Sequence, residues 1–454
     1  MDIVRELSFT EVFPLLMFPA MFVGVLSGFP VAFVLAAVGL LFGLVGHFWL
    51  DAFVLSDFGF VSAKIFGVMS NVTLISVPLF IFMGMVLERS GIAEDLLQAS
   101  EQMLRKTQGG VLYGLVLVGT LLAASTGIVG ATVITMSLLS LPPLLERKYD
   151  SALAAGTICA SGTLGQIIPP SIVLILLADM MNLAVADLFA GAIVPGLLLV
   201  LSYLAYIKIR ISLNPKLAPS WDENQQRESL HISLKSIASA MLPPLCLMVV
   251  VLGSILFGIA SPTESAGCGA FGAIVIAVMR RRFSKEKLRE ALRATTSLTS
   301  MVFTLLIGAQ VFSVVFRGMY GDDVLVETLA TWQDKPSMML WMVMLFFFIL
   351  GCFLDFLEIC FIFVPILTPI LVLHGGYSPL WLAILIAINL QTSFLTPPFG
   401  FSLFYLRGVA PPEVSTADIY KGAIPFVVMQ ILVLITVYLF PGLILWFPNA
   451  IWGK

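Results

Sequence analysis

The chain has 454 residues, of which 59% are hydrophobic and 11% charged, and its mean hydropathy is +1.04. A soluble core cannot enclose so much apolar surface with so little polar cover, which excludes a soluble globular protein. The apolar residues form continuous runs, unlike the alternating segments of about 10 residues in outer-membrane barrels, so we expect an all-α protein that crosses the membrane many times. The net charge of −3 says little about partners, and nucleic acid is not expected among them.

Apolar segments long enough to cross a bilayer recur in both halves of the chain. The ten predicted spans are 12–28, 30–48, 70–88, 151–180, 187–207, 240–258, 262–279, 294–316, 379–407 and 422–446. Two pairs of shorter segments remain, 111–125 with 128–143 and 338–353 with 356–373. At a rise of 1.5 Å per residue, about 16 residues reach about 24 Å, less than a bilayer core of about 30 Å. We therefore expect re-entrant hairpins over 111–143 and 338–373, with short tilted spans as the alternative.

The positive charges orient these spans. With the N-terminus outside, 19 of the 24 Lys and Arg residues fall in cytoplasmic loops, as the positive-inside rule requires. The polar residues 208–239 separate a first repeat, 1–207, from a second repeat, 240–454. This linker is expected to be cytoplasmic, either with an amphipathic helix along the membrane surface or as a plain connection.

A shift of 228 positions relates the two halves. It places Tyr149 on Tyr377 and Pro169-Pro170 on Pro397-Pro398, and it places the first hairpin tip on the second. Both proline pairs follow polar and small residues, ASGTLGQ in one half and NLQTSFLT in the other. Because each half has an odd number of spans, five, the second copy must insert upside down. The pattern predicts an inverted repeat, an architecture common in secondary transporters.

The proline pairs predict broken helices over 151–180 and 379–407. A proline pair removes two amide donors and frees carbonyl groups, and such backbone is tolerated at membrane depth only when buried in protein or lining a cavity. Carbonyl and hydroxyl oxygens are hard ligands that suit Na⁺, and half-helix N-termini suit an anionic substrate. The alternative is that Gly, Ser and Thr only allow close helix packing.

The candidate residues lie at the breaks and the hairpin tips. The expected Na⁺-binding residues are Ser125, Thr126, Gly127, Ser161, Gly162, Thr163, Gly165, Leu354, Asp355, Asn389, Thr392, Ser393 and Thr396. The expected substrate-binding residues are Pro169, Pro170, Ser171, Pro397, Pro398 and Gly400. Asp355 and Glu358 are acidic groups near the second tip, where charge is costly, which indicates cation balance or proton transfer; an ion pair or a cap is the alternative.

The chain resembles the large membrane subunit of tripartite ATP-independent periplasmic (TRAP) transporters over nearly its whole length. The resembling stretches are GFPVAF (28–33), PLFIFMGMVLERSGI (78–92), ASGTLGQIIPPSI (160–172), GIASPTESAGCGAFGA (258–273), GCFLD with its later prolines (351–369) and LTPPFGFSLF (395–404). Two positions depart from many members: GATVIT (130–135) lacks an acidic residue, and Ser402 stands where Asn is common.

The resemblance implies an elevator-type transporter of the ion transporter superfamily in the bacterial inner membrane. Its expected activity is Na⁺-driven symport of a small organic anion, usually a carboxylate or an acidic sugar. Na⁺ would be the coupling ion, and no organic cofactor is expected. A periplasmic binding protein would deliver the substrate, and a small membrane subunit of four spans would accompany this chain in the lipid bilayer.

Three other functions are compatible with parts of the pattern. A self-sufficient carrier of the same superfamily would share the repeat but would need no binding protein. An intramembrane metalloprotease is disfavoured because the three histidines are scattered and no HExxH motif occurs. An aspartyl protease would need a second intramembrane Asp facing Asp355, and a passive channel does not explain paired hairpins and broken helices.

Overall fold

The computed structural model describes residues 9–104, 106–127, 129–219, 234–281, 283–330, 332 and 334–453, and this part of the chain is built from helices joined by short connections. The α-helices are α1 Phe9–Val12, α2 Met17–Leu26, α3 Val31–Leu50, α4 Gly59–Met69, α5 Ser76–Arg89, α6 Ile92–Met103, α7 Gly110–Thr126, α8 Val129–Glu146, α9 Ser151–Thr163, α10 Ile172–Met180, α11 Val185–Leu213, α12 Leu234–Leu256, α13 Pro262–Met279, α14 Lys285–Gly318, α15 Gly321–Ala330, α16 Pro336–Gly351, α17 Phe356–Ile362, α18 Val364–Leu373, α19 Pro379–Ser393, α20 Phe401–Val409, α21 Thr416–Leu439 and α22 Gly442–Trp452. Short 3₁₀ helices cover Phe13–Leu16, Leu55–Phe58, Leu164–Gln166 and Pro215–Leu217.

The prediction of an all-α polytopic membrane protein is confirmed. Among the described residues, eight helices are long and apolar enough to cross a membrane, or ten if each of two bent pairs counts as one span. The helices that qualify as spans are not all the same as the spans predicted from the sequence. They include α8, which the sequence predicts as a hairpin arm, and they leave out α9 and α10, because each arm of a broken helix is too short.

The chain forms two compact units, and each draws segments from both repeats. Unit 1 comprises Met1–Val72, Ser297–Leu345 and Phe356–Pro379. Inside it, α3 and α14 approach so closely that a Cβ atom on Gly39 would lie 3.1 Å from the backbone nitrogen of Phe312. A cluster of aromatic rings fills the neighbouring space, with the ring of Phe18 5.5 Å from that of Phe312. Small residues therefore set the helix spacing in this unit, as is common in membrane bundles.

Unit 2 comprises Thr73–Thr296, Phe346–Asp355 and Leu380–Lys454, and the two broken helices lie at its centre. Every residue of α9 from Ala152 onward is buried, and so is every residue of α19 from Trp381 onward. A helix buried on all faces must have neighbours on all sides. One of them is α21, whose Gly422 leaves no room for a Cβ atom on Gly156 of α9.

The repeat register is visible in the packing of unit 2. Ala123 of α7 lies against Gly165, and Gly351 of α16 lies against Ser393 in the same close way. Both members of the second pair follow those of the first by 228 positions, the shift read from the sequence. The Pro169-Pro170 and Pro397-Pro398 peptide bonds are both cis. In each half, the first arm of the predicted hairpin, α7 or α16, therefore packs against the broken helix at its break, next to the end of α9 or α19.

The predicted span 70–88 belongs to a bent helix pair. The axes of α5 and α6 differ by 62°. Gly91 separates them with φ +76°, a left-handed conformation that ends a helix and that glycine adopts without a steric penalty. The sequence predicts a loop at α6 because its acidic residues keep it out of any apolar window. One of them, Asp95, accepts a hydrogen bond of 2.7 Å from Arg280, which holds α6 at the end of α13.

The second predicted hairpin region is less regular than the first. Both arms of the first region, α7 and α8, are single α-helices. The arm predicted over 356–373 is instead the pair α17 and α18, which bend by 57°. Pro365 lies in the first turn of α18, and its ring nitrogen cannot donate to the preceding turn. The proline therefore accounts for the bend.

Further helices lie outside the predicted segments or extend beyond them. Helices α4 and α15 are shorter than a span and escape a search for apolar runs of about 20 residues. Helix α11 continues to Leu213, inside the predicted linker, and α12 begins at Leu234. Most of the predicted amphipathic stretch, 220–233, lies outside the described residues.

Candidate functional site

The first break is formed by residues 164–171, between α9 and α10. The hydroxyl groups next to the break, those of Ser161 and Thr163 at the end of α9, are buried, and so is that of Ser171 at the other end of the break. Ser161 donates to the carbonyl of Thr157 at 2.6 Å, and Thr163 donates to that of Ala160 at 2.9 Å. Because each hydroxyl hydrogen is used within the helix, the oxygen lone pairs stay available to a cation. Gly162 lies against Val133 of α8, so the second hairpin arm also lines this break.

The predicted tip of the first hairpin, at the end of α7, lies beside the first break. Gly127 ends α7 with φ +63°, and its N–H donates to Ala123 at 2.8 Å. A Cβ atom on Gly127 would come within 2.8 Å of Ile172, the first residue of α10. The structure therefore brings Gly127, Gly165 and the start of α10 together. Ser125 and Thr126 end α7, and their side chains lie outside the described part.

The second break is formed by residues 394–400, between α19 and α20. Its hydroxyls repeat the pattern of the first: Thr392 donates to Ile388 at 2.8 Å and Ser393 to Leu390 at 2.7 Å. Thr396 donates in the same way to Thr392 at 2.9 Å. Asn389 is buried on the same helix.

The end of α16 and the residues that follow it line the second break. Leu354 is fully buried and Asp355 is half-buried. The ring of Phe353 lies 5.5 Å from that of Phe399. The residues predicted for the second cation site therefore belong to one unit, whereas Glu358 belongs to unit 1.

Helices α10 and α20, the second halves of the two broken helices, begin without a side-chain cap. Ser171 precedes α10, but its hydroxyl donates to the carbonyl of Gln166 at 2.9 Å and does not cap the helix. Gly400 precedes α20 with φ +41° and has no side chain to offer. An uncapped N-terminus carries a partial positive charge, which favours an anion. At α20 the Ser402 N–H donates to the carbonyl of Phe394 at 3.2 Å and the Leu403 N–H donates to that of Gly400 at 2.8 Å, so these two first-turn amides are already paired. The substrate-binding residues predicted after each proline pair lie at these two helix ends.

A hydrogen-bonded pair links the second break to the first broken helix. Ser402 in the first turn of α20 donates to the carbonyl of Cys159 in α9 at 3.0 Å. The Cys159 thiol donates back to the carbonyl of Ser402 at 3.6 Å. The N-terminus of α20 is therefore held against α9, so the two halves of the repeat meet at the candidate site.

The candidate cation ligands are almost all neutral. Across the described residues, no group of three His, Cys, Asp or Glu side chains comes together in a metal-binding arrangement. A cation at either break would therefore be held by hydroxyl, amide and carbonyl oxygens, with Asp355 as the carboxylate of the second cluster. Such hard, neutral oxygens suit an alkali cation better than a transition metal.

Sequence reasoning missed three buried polar residues of unit 2. Tyr203, Gln391 and Gln430 are each 0% exposed. The Gln430 amide donates to the Tyr203 hydroxyl at 2.6 Å. Two signals pointed to them: a single glutamine inside the apolar run of α21, and the position of Gln391, which follows Thr163 by 228 positions.

Comparison with known proteins identifies the family. The family model of the tripartite ATP-independent periplasmic transporter, DctM component, matches residues 18–443. The C4-dicarboxylate TRAP transporter large permease protein DctM of Pseudomonas aeruginosa is 29% identical, covering 85% of this chain and 88% of its own length. The sialic acid TRAP transporter large permease protein SiaM of Vibrio cholerae is 26% identical, covering 94% of this chain and 96% of its own.

A solved structure shares the fold. The YdaH transporter of Alcanivorax borkumensis superposes with a TM-score of 0.58 at 14% identity, over 85% of this chain and 88% of that one. The matched relatives are named as transporter permeases, so this multi-pass membrane protein is a transporter component and not an enzyme. The chain belongs to the DctM component family of tripartite ATP-independent periplasmic transporters.

Proposed function

We propose that the chain carries out Na⁺-driven symport of a small organic anion, either a carboxylate or an acidic sugar. The observation that carries this proposal is the doubled arrangement in unit 2. Each break has buried hydroxyl oxygens on the α9 or α19 side and an uncapped helix N-terminus on the other. Oxygens suit the cation, and helix N-termini suit the anion.

The two ligands are expected to help each other bind. A cation at the Ser161 or Ser393 side of a break adds positive charge near the helix end where the anion binds. The anion in turn lowers the electrostatic cost of the cation, because coupling between two bound ligands is reciprocal. The charge on Asp355 further favours a cation at the second break.

Membership of the family supports a proposal for the partners and the movement. We propose a periplasmic binding protein that delivers the anion, a small four-span membrane subunit, and an elevator movement of the block that carries both breaks. Relatives of the family are named for C4-dicarboxylates and sialic acid, which are both acidic. We place the chain in the bacterial inner membrane with a periplasmic N-terminus, because 19 of 24 basic residues then face the cytoplasm.

Uptake into proteoliposomes tests the proposal. The chain and its small subunit are reconstituted together and offered radiolabelled C4-dicarboxylates, sialic acid and an uncharged sugar as control. Each is measured with an inward Na⁺ gradient or an equal K⁺ gradient, and with or without the binding protein. We expect uptake of one acidic compound only when both Na⁺ and the binding protein are present.

Two results would contradict parts of the proposal. Na⁺-driven uptake without any binding protein would assign the chain to the self-sufficient carriers. Equal uptake under Na⁺ and K⁺ gradients would remove the cation sites at the breaks.

A further inference from the structure

Four buried polar side chains converge inside unit 2, one from each of four helices. They are Thr163 of α9, Tyr203 of α11, Gln391 of α19 and Gln430 of α21, and each is 0% exposed. Gln430 donates its amide hydrogen to the Tyr203 hydroxyl at 2.6 Å. The side chains of Thr163 and Gln391 approach the same hydroxyl. The four residues are called the axis cluster below.

The axis cluster contains one pair of residues related by the internal repeat. Gln391 follows Thr163 by 228 positions, the register of the two breaks. Gln430 follows Tyr203 by 227 positions, so it is the neighbour of the residue that the register pairs with Tyr203, Ile431. Residues related by a two-fold axis approach one another only near that axis, and Thr163 and Gln391 both approach the Tyr203 hydroxyl. The cluster therefore lies close to the pseudo-two-fold axis of the inverted repeat, and both broken helices reach it.

Several polar atoms of the cluster have no hydrogen-bond partner. Among the described residues, neither amide atom of Gln391 has one, and nor does the side-chain carbonyl of Gln430. Buried polar groups are normally satisfied, because leaving them unpaired costs much of their hydration free energy. Gln391 requires both a donor and an acceptor, and its Oε1 and Nε2 atoms face a fully enclosed environment.

The chemistry of the cluster favours water over an ion. The unpaired atoms include a donor, the Nε2 group of Gln391, as well as acceptor oxygens, and a cation can satisfy only the acceptors. Water both donates and accepts, and buried waters typically form about three hydrogen bonds to otherwise unsatisfied groups. Bound water would therefore supply both the acceptor and the donor that Gln391 lacks, and the donor that the Gln430 carbonyl lacks.

We propose that Tyr203, Gln391 and Gln430 form a positioning node, completed by bound water, that keeps the two broken helices in fixed relative position. Tyr203 and Gln430 hold each other across α11 and α21. The two broken helices dock on this pair through Thr163 and Gln391. The consequence for transport rests on the proposed function: both cation clusters then respond as one body.

Distance measurements between spin labels test the node. Met181→Cys at the end of α10 and Gly408→Cys in α20 provide the labels, because Gly408 is exposed with nothing within 4 Å of a Cβ atom. The exposed Cys246 and Cys268 are first replaced by serine. In Tyr203→Phe and Gln391→Leu we expect the distribution of label distances to broaden about twofold, since the node no longer restricts the broken helices.

Tyr206→Phe is the matched control. Tyr206 lies one turn along α11, and its ring packs on Phe426 at 5.0 Å, as the Tyr203 ring does at 5.1 Å. Both variants keep the ring contact and remove one hydroxyl, but only Tyr203 belongs to the node. We expect Tyr206→Phe to leave the distance distribution unchanged. Equal widths in Tyr203→Phe, Tyr206→Phe and the parent protein would overturn the proposal.

The outcome is separable from that of the symport proposal. The distance measurement needs neither Na⁺ nor substrate, so it judges the node even if uptake proves independent of Na⁺. Tyr203→Phe removes a single oxygen atom and is expected to fold, so the test stands if Gln391→Leu does not accumulate. Where symport is observed, we expect the Hill coefficient for Na⁺ to fall toward one in the node variants; an unchanged coefficient would overturn the transport consequence.

Discussion

The two breaks of unit 2 solve the same packing problem with the small residue on opposite sides. At the first break the glycine belongs to the broken helix, where Gly165 packs against Ala123 of α7. At the second break the glycine belongs to α16, where Gly351 packs against Ser393 of the broken helix. The close approach of the two backbones is kept, and the glycine that permits it has changed partner. The repeat therefore preserves the short distance between the two helix backbones and not the residue type at either position.

The same two breaks differ in exposure. Pro169, Pro170 and Ser171 are buried, whereas Pro398 is exposed and Phe399 is 56% exposed. The two breaks also differ in one hydrogen bond. The Tyr420 hydroxyl donates to the carbonyl of Pro398 at 2.8 Å, whereas the residue that the repeat pairs with Tyr420 is Ala192, which has no hydroxyl. Hence the second break is the accessible one in this structure, and the first is closed.

The largest expected effect comes from filling the first glycine contact. In Gly165→Ala the new Cβ atom would overlap the backbone of Ala123, which a rotamer change cannot relieve. We expect a loss of about 1–3 kcal/mol in the free energy of unfolding and a lower melting temperature in detergent. The control is Gly253→Ala in α12, where a Cβ atom has no neighbour within 4 Å. It should be neutral or stabilising by up to about 1 kcal/mol, and equal melting temperatures for both variants would contradict the packing argument.

Exchanging the small residue between partners tests what each contact is made of. At the second break a Cβ atom on Gly351 would overlap the side chain of Ser393, so we expect Ser393→Gly to recover about half or more of the stability lost in Gly351→Ala. At the first break a Cβ atom on Gly165 would overlap the backbone of Ala123, which Ala123→Gly leaves in place, so we expect that change to recover little of the stability lost in Gly165→Ser. Additive melting shifts in the Gly351 and Ser393 cycle would contradict the packing argument at the second break.

The repeat could be read from the sequence because its strongest marks are local. A proline pair and the small residues before it are visible in one window, and the register of 228 follows from aligning two such windows. The same register places Ala123 on Gly351 and Gly165 on Ser393, but it does not show that the members of either pair are in contact. Span existence was equally accessible, since an apolar run of about 20 residues suffices.

The remaining features depend on partners far away in the chain. Helix α6 is amphipathic and takes its place through Asp95 and Arg280, which are 185 positions apart. The axis cluster joins Tyr203 to Gln430 across 227 positions; the single glutamine in the apolar run of α21 marks a polar position but does not identify its partner. Apolar windows carry no information about such pairings. The bend between α17 and α18 was local, and Pro365 could have predicted it.

A charge difference between the breaks provides the next test. Asp355 is the carboxylate predicted at the second cluster, whereas the first cluster is neutral. We expect Asp355→Asn to raise the half-saturating Na⁺ concentration for uptake about tenfold, which corresponds to about 1.4 kcal/mol of binding free energy. Glu358→Gln, three positions on and in unit 1, is the matched control and should change it less. Identical shifts in the two variants would remove Asp355 from the site.

The link from the second break to α9 should have a smaller effect. Ser402→Ala removes the hydroxyl that donates to the Cys159 carbonyl, a buried hydrogen bond of 3.0 Å. We expect a loss of about 0.5–1.5 kcal/mol in the free energy of unfolding. The control is Thr436→Ala, because the exposed Thr436 hydroxyl donates only to Leu432 within its own helix. A thermal melt in which the two variants behave alike would mean that the Ser402 contact adds nothing to the joining of the two halves.

The smallest expected effect concerns the accessible break alone. Tyr420→Phe removes the hydrogen bond to the Pro398 carbonyl, which is exposed and therefore worth about 0.5 kcal/mol in net terms. Global stability should hardly change, but local opening of residues 394–400 should become about two- to threefold more frequent, as that free energy implies. The rate at which a maleimide labels Phe399→Cys measures this opening, with the exposed Cys246 and Cys268 replaced by serine. Tyr320→Phe, at an exposed tyrosine of unit 1, is the control, and the same labelling rate in both variants would mean that the Tyr420 hydrogen bond does not restrain the second break.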